Sequence, residues 1–266
     1  MSNYLEDLFI NEAKPALRAK NCSGSGGSGV VLIRNQDKTI TENGVYAADE
    51  GYDCFGNVTV EIATSGGQDL LDSMIDGSIT EVNSSATKVV SHVFNECDAL
   101  TTLNFPLATS IDPNAFDGCS ALTTVNFPLV TDINDYAFRN CDALTAVNFP
   151  LVTNIKYNAF ESCDALTTVD FPLVTDIKGY AFRGCSSLTS AIFRKTKKAC
   201  TLSSTSAFTS TPIESGTGYI YVPAALIEDY KVATNWSTYA AQFRALEDYT
   251  VDGTTTGALD ETKISA

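Results

Sequence analysis

The chain has 266 residues and sets 17 Lys and Arg against 32 Asp and Glu, a formal net charge of −15. A surface this acidic repels nucleic-acid phosphates and anionic lipid headgroups, so neither is an expected partner. Apolar residues make up 44% of the chain, yet no run of about eighteen of them marks a membrane-spanning helix, so no membrane insertion is expected.

Residues 1–21 read as an attachment segment. Leu5, Leu8, Phe9 and Ala13 recur at helical spacing between Asn3 and Lys20, with Pro15 kinking or ending the first turns. The start, MSNYLEDLFINEAKPALRAK, is acidic where a signal peptide is basic and lacks a continuous apolar stretch, so it is not read as an export signal. Residues 22–29, CSGSGGSG, read as a flexible linker. They satisfy GxGxxG formally. They would follow a helix and open a strand, however, the reverse of a dinucleotide loop, and no nucleotide is expected. Residues 30–66 are expected to form a small β module. It would hold a hairpin over Thr39–Tyr46 around Asn43-Gly44 and an alternating strand over Val58–Ile62.

Residues 67–93 are expected to cap the N-terminal end of a repeat array, with Leu71, Met74 and Ile75 covering the exposed end. Over residues 94–222 the sequence repeats itself. Cys97, Cys119, Cys141, Cys163 and Cys185 stand 22 residues apart, and Phe94 and Leu100 open ladders with the same step. A fixed period in the twenties means stacked coils, so the fold class is a repeat solenoid with parallel β-strands. Within one coil, Leu122–Phe127 alternates as a short strand that Pro128 ends. Val130 and Ile133 return to the core, and Ala137, Phe138 and Cys141 are expected to pack as a helical turn. Residues 223–249 are expected to form a helical C-terminal cap. Leu226, Ile227 and Tyr230 begin it, and Trp236, Tyr239, Phe243 and Leu246 continue a helical stripe that Asn235 caps. Residues 250–266 are a polar tail or docking segment.

The ladder cysteines read as reduced, buried, small hydrophobes, because they spread along an axis and do not converge on a point. Cys22, Cys54 and Cys200 fall outside the register, and His92 is the only histidine. Catalytic triads built on a histidine base find no surrounding motif here, and neither metal, cofactor nor catalytic residue is expected. The carboxylates Asp112, Asp132, Asp135 and Asp176 fall on turns, where nothing would desolvate them into an acid–base pair. The binding candidates lie elsewhere. Outward strand positions form polar ladders that include Asn126 and Asn148. The turns vary from coil to coil and offer Tyr136, Tyr157 and Tyr180 as aromatic anchors.

The pattern LxxVxFPLVTxIxxxAFxxCxxL, carried by Leu144, Val147, Phe149, Pro150, Ile155, Ala159, Phe160, Cys163 and their copies, resembles the BspA-like, or Treponema pallidum type, leucine-rich repeats. That family includes adhesins, phage-encoded proteins and surface proteins. TITENGVYAADEGYDCFGNVTVEI resembles a module of tail-associated and other structural proteins of phages. YIYVPAALIEDYKVATNWSTYAAQF resembles the family's C-terminal cap. Together these resemblances imply a non-enzymatic protein of a bacteriophage virion, on tail or head. The N-terminal segment would bind other virion proteins or a further copy, and the solenoid would face a host surface protein or glycan. The alternative is a cell-surface or secreted bacterial adhesin.

Overall fold

The structure, a computed structural model, describes residues 87–264 apart from 90 and 196, together with strands at 29–33, 58–62 and 81–84. Successive coils up to the one that holds Ala146–Asn148 each contribute one strand to a first sheet. Its order is β1 (Gly29–Ile33), β2 (Val58–Ile62), β3 (Glu81–Ser84), β5 (Thr102–Asn104), β7 (Thr124–Asn126) and β9 (Ala146–Asn148). Two-residue strands build a second sheet from β4 (Lys88–Val89) through β6 (Ser110–Ile111), β8 (Asp132–Ile133), β10 (Asn154–Ile155) and β12 (Asp176–Ile177) to β14 (Thr201–Leu202). All pairings in both sheets are parallel, and partners such as Val125↔Val147 and Ile133↔Ile155 differ by one repeat. A third sheet runs β11 (Thr168–Asp170), β13 (Ser190–Ile192), β15 (Tyr219–Val222) and β16 (Phe243–Ala245).

The first and third sheets are separate because no ladder joins β9 to β11. At that seam the Phe149 and Phe171 rings stand 6.5 Å apart, against 5.3 Å for Phe105 and Phe127. Val147 is only partly buried there, while the second sheet continues unbroken from β10 to β12.

The core is a set of columns. Phe94, Phe116, Phe138, Phe160, Phe182 and Phe208 stack at 5.2 to 5.5 Å, and Phe105, Phe127, Phe149 and Phe171 form a second column against them. Each such pair adds about 0.5–1.5 kcal/mol beyond its buried area. Ring spacing is close to the inter-strand distance, so one 22-residue register satisfies both the backbone ladders and the ring stack.

The expected helical turn around Phe138 is not a helix. Local bonds such as Ala137 N–H to the Asn134 carbonyl, 3.2 Å, alternate with bonds between coils: Phe138 donates its N–H to the carbonyl of Ala159, 2.9 Å away, and Asn140 to that of Glu161 at 2.8 Å. Two residues in each turn take left-handed backbone. One series is His92, Asn114, Tyr136, Asn158 and Tyr180, and the other is Glu96, Gly118, Asn140, Ser162 and Gly184. A left-handed residue ends a right-handed helix, and its own N–H runs along the stack, as from Tyr136 to the Tyr157 carbonyl at 3.0 Å. Helical spacing of Ala137, Phe138 and Cys141 came from packing against copies.

The ladder cysteines are buried thiols that form no disulfide with one another. Each thiol from the second onward donates to a carbonyl of the preceding coil, Cys119 to Phe94 at 3.0 Å and Cys141 to Phe116 at 3.3 Å. A hydroxyl at position 141 would therefore find an acceptor.

At the N-terminal end, β1 and β2 continue the solenoid ladder as parallel strands in register, Gly29↔Val58 and Thr59↔Glu81. Gly29 and the strands of residues 30–66 thus join the repeat sheet instead of forming a module apart. The hairpin at 39–46, the attachment segment 1–21 and the capping residues Leu71, Met74 and Ile75 lie outside the described residues.

The C-terminal end departs from the expected helical cap. It contains α1 (Pro212–Ser215), α2 (Ile227–Val232), 3-10 turns at Ala224–Leu226, Trp236–Tyr239 and Leu246–Tyr249, and the strand β16. Phe243 belongs to β16, whose parallel pairing with β15, Ile220↔Phe243, supplies partners that β15 would otherwise leave bare. Asn235 does not cap through its side chain. It sits in left-handed backbone and donates its amide to the Leu202 carbonyl at 2.7 Å. Trp236 still closes the core: it is fully buried, contacts Phe193 and Phe208, and donates its indole N–H to the Cys200 carbonyl at 2.7 Å.

The polar tail is packed against the solenoid. Thr250 bridges to Leu259, and Leu259 covers a second small core of Ile192, Tyr221 and Leu246 on the outer face of the third sheet. Arg194 grips Asp170 with three bonds of 2.6 to 2.9 Å and donates to the carbonyls of Thr255 and Gly257.

Two measurements test this arrangement. Burial first of all lifts Cys119, Cys141 and Cys163 well above the usual thiol range, and it pushes Cys200 from 9.0 up to about 12. The unfolded chain releases these protons near the ordinary value while the folded chain keeps them. Stability is therefore full below that value and falls above it, by about 1.4 kcal/mol per pH unit per thiol. Thermal melts should hold level through neutral pH and drop from pH ~9 upward, with none of the five ladder thiols or Cys200 reacting with a disulfide reagent until unfolding. Rapid labelling of any of these six in the native protein, located by peptide mass spectrometry, would contradict the packing. In the second measurement, a chain ending at Val222 should aggregate, because it loses β16 and the Trp236 plug together. Within the full chain, Trp236→Ala should cost about 3–5 kcal/mol in urea unfolding.

Candidate functional site

The variable turns follow the second-sheet strands, and the structure separates the five sequence candidates into two places. Asn126 and Asn148 lie on the outer face of the first sheet. Asn148 donates its amide to Asn126 at 3.0 Å, and Asn126 to Asn104 at 3.3 Å, forming a one-way amide chain along three coils. Thr123 and Thr145, beside it, donate to the Thr carbonyl one coil back. These groups largely satisfy one another, so the ladder first of all orders the sheet surface.

The tyrosines lie on the turn edge but do not form one column. Tyr136 and Tyr180 share a register, two coils apart, with Asn158 between them, whereas Tyr157 belongs to the register of Asp135 and Gly179. Tyr157 and Tyr180 are exposed, and Tyr136 is half-buried.

Tyr136 and Tyr180 have φ of 59° and 61°, where Asn114 and Asn158 have 58° and 57°. Asparagine tolerates the left-handed region because its short side chain can bond locally, whereas tyrosine is costly there. Each of these tyrosines is followed three residues later by an arginine that lies over its ring, Arg139 at 4.7 Å and Arg183 at 5.4 Å. Such a stack is worth about 0.5–1 kcal/mol at an exposed site and limits how the ring turns.

The same arginines reach into the coil behind. Arg139 binds Asp117 with two parallel bonds, Nε to Oδ1 at 2.9 Å and Nη2 to Oδ2, and this bond first of all raises the Arg139 pKa. Arg183 pairs with Glu161 at 3.2 Å, and Glu161 also accepts from the Asn158 amide at 2.5 Å. The register Asp117, Arg139, Glu161, Arg183 therefore alternates in sign. From Asn114 to Arg183 the period along this edge is two coils, Asn with an acid and then Tyr with an Arg, while the coil before carries His92 and Asn95. Neither arginine was among the sequence candidates. The signal was present in NAFD, YAFR, NAFE and YAFR as a 44-residue repetition inside the 22-residue one.

The turn carboxylates are engaged by cations and amides. Asp112 pairs with Lys88 at 2.9 Å, Asp176 with Lys178 at 2.7 Å, Asp132 accepts from the Asn154 amide at 2.7 Å, and Asp135 from the Tyr157 N–H at 2.9 Å. Among the described residues, no group of three or more His, Cys, Asp and Glu side chains is placed to hold a metal. No described helix is long and apolar enough to cross a membrane.

Stacked parallel coils of this length, with apolar ladders inside and a variable edge outside, define a leucine-rich repeat protein. A sequence profile for BspA-type leucine-rich repeat regions matches in six copies, over residues 75–189 and 109–219, more than half the chain. The chain belongs to the BspA-type leucine-rich repeat family. Proteins of this class typically bind other proteins and are typically non-enzymatic.

Solved structures similar to this chain include the following three. The leucine-rich repeat protein of T. pallidum shares 29% identity over 50% of this chain and 57% of its own, with a TM-score of 0.41. A leucine-rich repeat protein from Bacteroides ovatus shares 22% over 70% of this chain and 53% of its own, with a TM-score of 0.47. A leucine-rich cell surface protein from Faecalibacterium prausnitzii shares 16% over 69% of this chain and 66% of its own, with a TM-score of 0.29. This chain spans less than two thirds of the length of each. No curated protein sequence matches the chain.

The charge order of the edge is testable. Arg139→Glu would set three carboxylates in successive coils and leave the buried Asp117 without its cation. It should destabilise by roughly 2–4 kcal/mol in urea unfolding. The double change Asp117→Arg with Arg139→Glu should recover part of that loss, and the absence of any recovery would mean that charge order is not what couples these coils.

Proposed function

We propose that this chain is a non-enzymatic binding protein of a bacteriophage virion whose turn edge, centred on Tyr136 and Tyr180, engages a host surface protein or glycan. The observation that carries the binding site is the pair of tyrosines in left-handed backbone, at positions where the alternate coils place asparagine. A residue kept in costly backbone is a reason to look for a role. Tyrosine offers a large amphipathic face with little rotamer entropy to lose, which suits it to an interface. The arginine on one side of each ring leaves the other side as the contact face. The virion setting is supported by the resemblance of residues 39–62 to a module of phage structural proteins.

The substitution Tyr136→Asn with Tyr180→Asn tests the site without disturbing the fold, because Asn114 and Asn158 already occupy the same backbone. The melting temperature should hold or rise, while binding to host cells should fall at least tenfold. Unchanged cell binding by a folded double variant rejects this edge as the site. Peptide mass spectrometry of purified particles tests the setting separately: the chain should co-purify with virions, and its presence only in the host cell envelope would favour a bacterial adhesin.

A further inference from the structure

Half of the large exposed apolar side chains in the described structure fall in one register. Leu107, Leu129, Leu151 and Leu173 are 49, 39, 39 and 43% exposed, one on each of four successive coils, each directly after a proline. The exposed Thr101, Thr123, Thr145, Thr167 and Thr189 are copied too, but they are polar, whereas this copied surface register is apolar. The ridge rises by one strand spacing per coil, so three steps span about 15 Å.

The next coil changes character at the same place. By the pairing of β11 with β13, Arg194 and Lys195 stand where Pro172 and Leu173 stand one coil earlier. Here the spacing between coils lengthens: Cys163 to Cys185 is 22 residues, but Phe182 to Phe208 is 26. Three of the four extra residues fall between Ile192 and Thr201, the stretch that holds Arg194-Lys-Thr-Lys-Lys198. Arg194 is taken by Asp170, but Lys195, Lys197 and Lys198 join no ion pair among the described residues. An uncharged apolar ridge thus ends in a cluster of free cations, on a chain of net charge −15.

We infer that this surface is the docking site for residues 3–13 of the same chain. That segment carries Leu5, Leu8, Phe9 and Ala13 at helical spacing and, among them, Glu6, Asp7 and Glu12 without a single cation. As a helix it spans about 17 Å at 1.5 Å per residue, the length of the ridge plus part of the step to the lysines. Its apolar side covers the leucines, and its carboxylates meet Lys195, Lys197 and Lys198. The tether is long enough: residues 14–28 extend to about 50 Å. The chain enters the first sheet at Gly29, and β1 lies three ladder steps before β5, whose coil carries Leu107. A segment that is marginal alone in water gains a partner in this way.

Hydrogen–deuterium exchange on the full-length protein reads the docking directly. Amides of residues 3–13 should exchange at least tenfold more slowly than in the free peptide of that sequence, equally at high and low protein concentration. Leu129→Gln with Leu151→Gln, both at partly exposed positions, should abolish that protection while the solenoid amides keep theirs. Lys195→Glu with Lys197→Glu and Lys198→Glu should also abolish it, and adding Glu6→Lys, Asp7→Lys and Glu12→Lys should restore it. Peptide-like exchange in the wild type, or protection that survives the leucine changes, overturns the proposal. Protection that grows with concentration would place the segment on a second copy and overturns it as well.

Discussion

Each coil's backbone is bonded chiefly to the coils on either side of it. The first-sheet strands, the second-sheet strands and the turns around Phe138 all send hydrogen bonds between coils, so three separate stretches of every repeat must keep step. One inserted residue in a single stretch would move the other two out of register, and buried N–H and C=O groups left unpaired are costly. The 22-residue period follows from this constraint. The Phe columns, the thiol-to-carbonyl bonds and the amide chain of Asn104, Asn126 and Asn148 are side-chain versions of the same stacking.

Stacking has two physical costs, and the chain answers each locally. An end coil shows its apolar face and its unpaired strand to water. At the C-terminal end Trp236 closes the first problem and β16 the second, with Leu259 covering the outer patch around Tyr221. The other cost is that identical coils bring identical charges together. On the turn edge an acid and an arginine take alternate coils, turning a repulsive column into an attractive one. That alternation doubles the period of the edge and places the Tyr–Arg pairs on every second coil, about 10 Å apart. The surface of this solenoid is therefore coarser in grain than its core.

The seam between β9 and β11 shows how tolerant such a stack is. Three faces hold adjacent coils together, so the first sheet opens there while β10 and β12 stay paired. The wider Phe149–Phe171 spacing and the partly exposed Val147 are the local consequence. The insertion at Arg194–Lys198 is tolerated for a related reason. It falls in the outer turn, where no inter-coil ladder has to keep step, and the register recovers by Thr201 and Leu202.

The amino-acid sequence by itself determined the period, the solenoid class, the buried cysteine and phenylalanine ladders, and the family. All of these are carried by pairs of positions one repeat apart, so the contact is written in the chain as a recurrence. Tyr136, Tyr157 and Tyr180 were legible as variable turn residues, but their division into two registers was not, since it depends on which residue of each turn is left-handed. Arg139 and Arg183 were visible only as charges until stacking set each between a tyrosine and the acid of the previous coil. The cap misled because Trp236, Tyr239, Phe243 and Leu246 have helical spacing, yet Phe243 was drawn into a strand by the open edge of β15. The tail looked merely polar because the groups that hold it, Arg194 and Tyr221, lie far from it in sequence. Only tertiary structure decides such contacts, because neither partner recurs and no local pattern records the pairing.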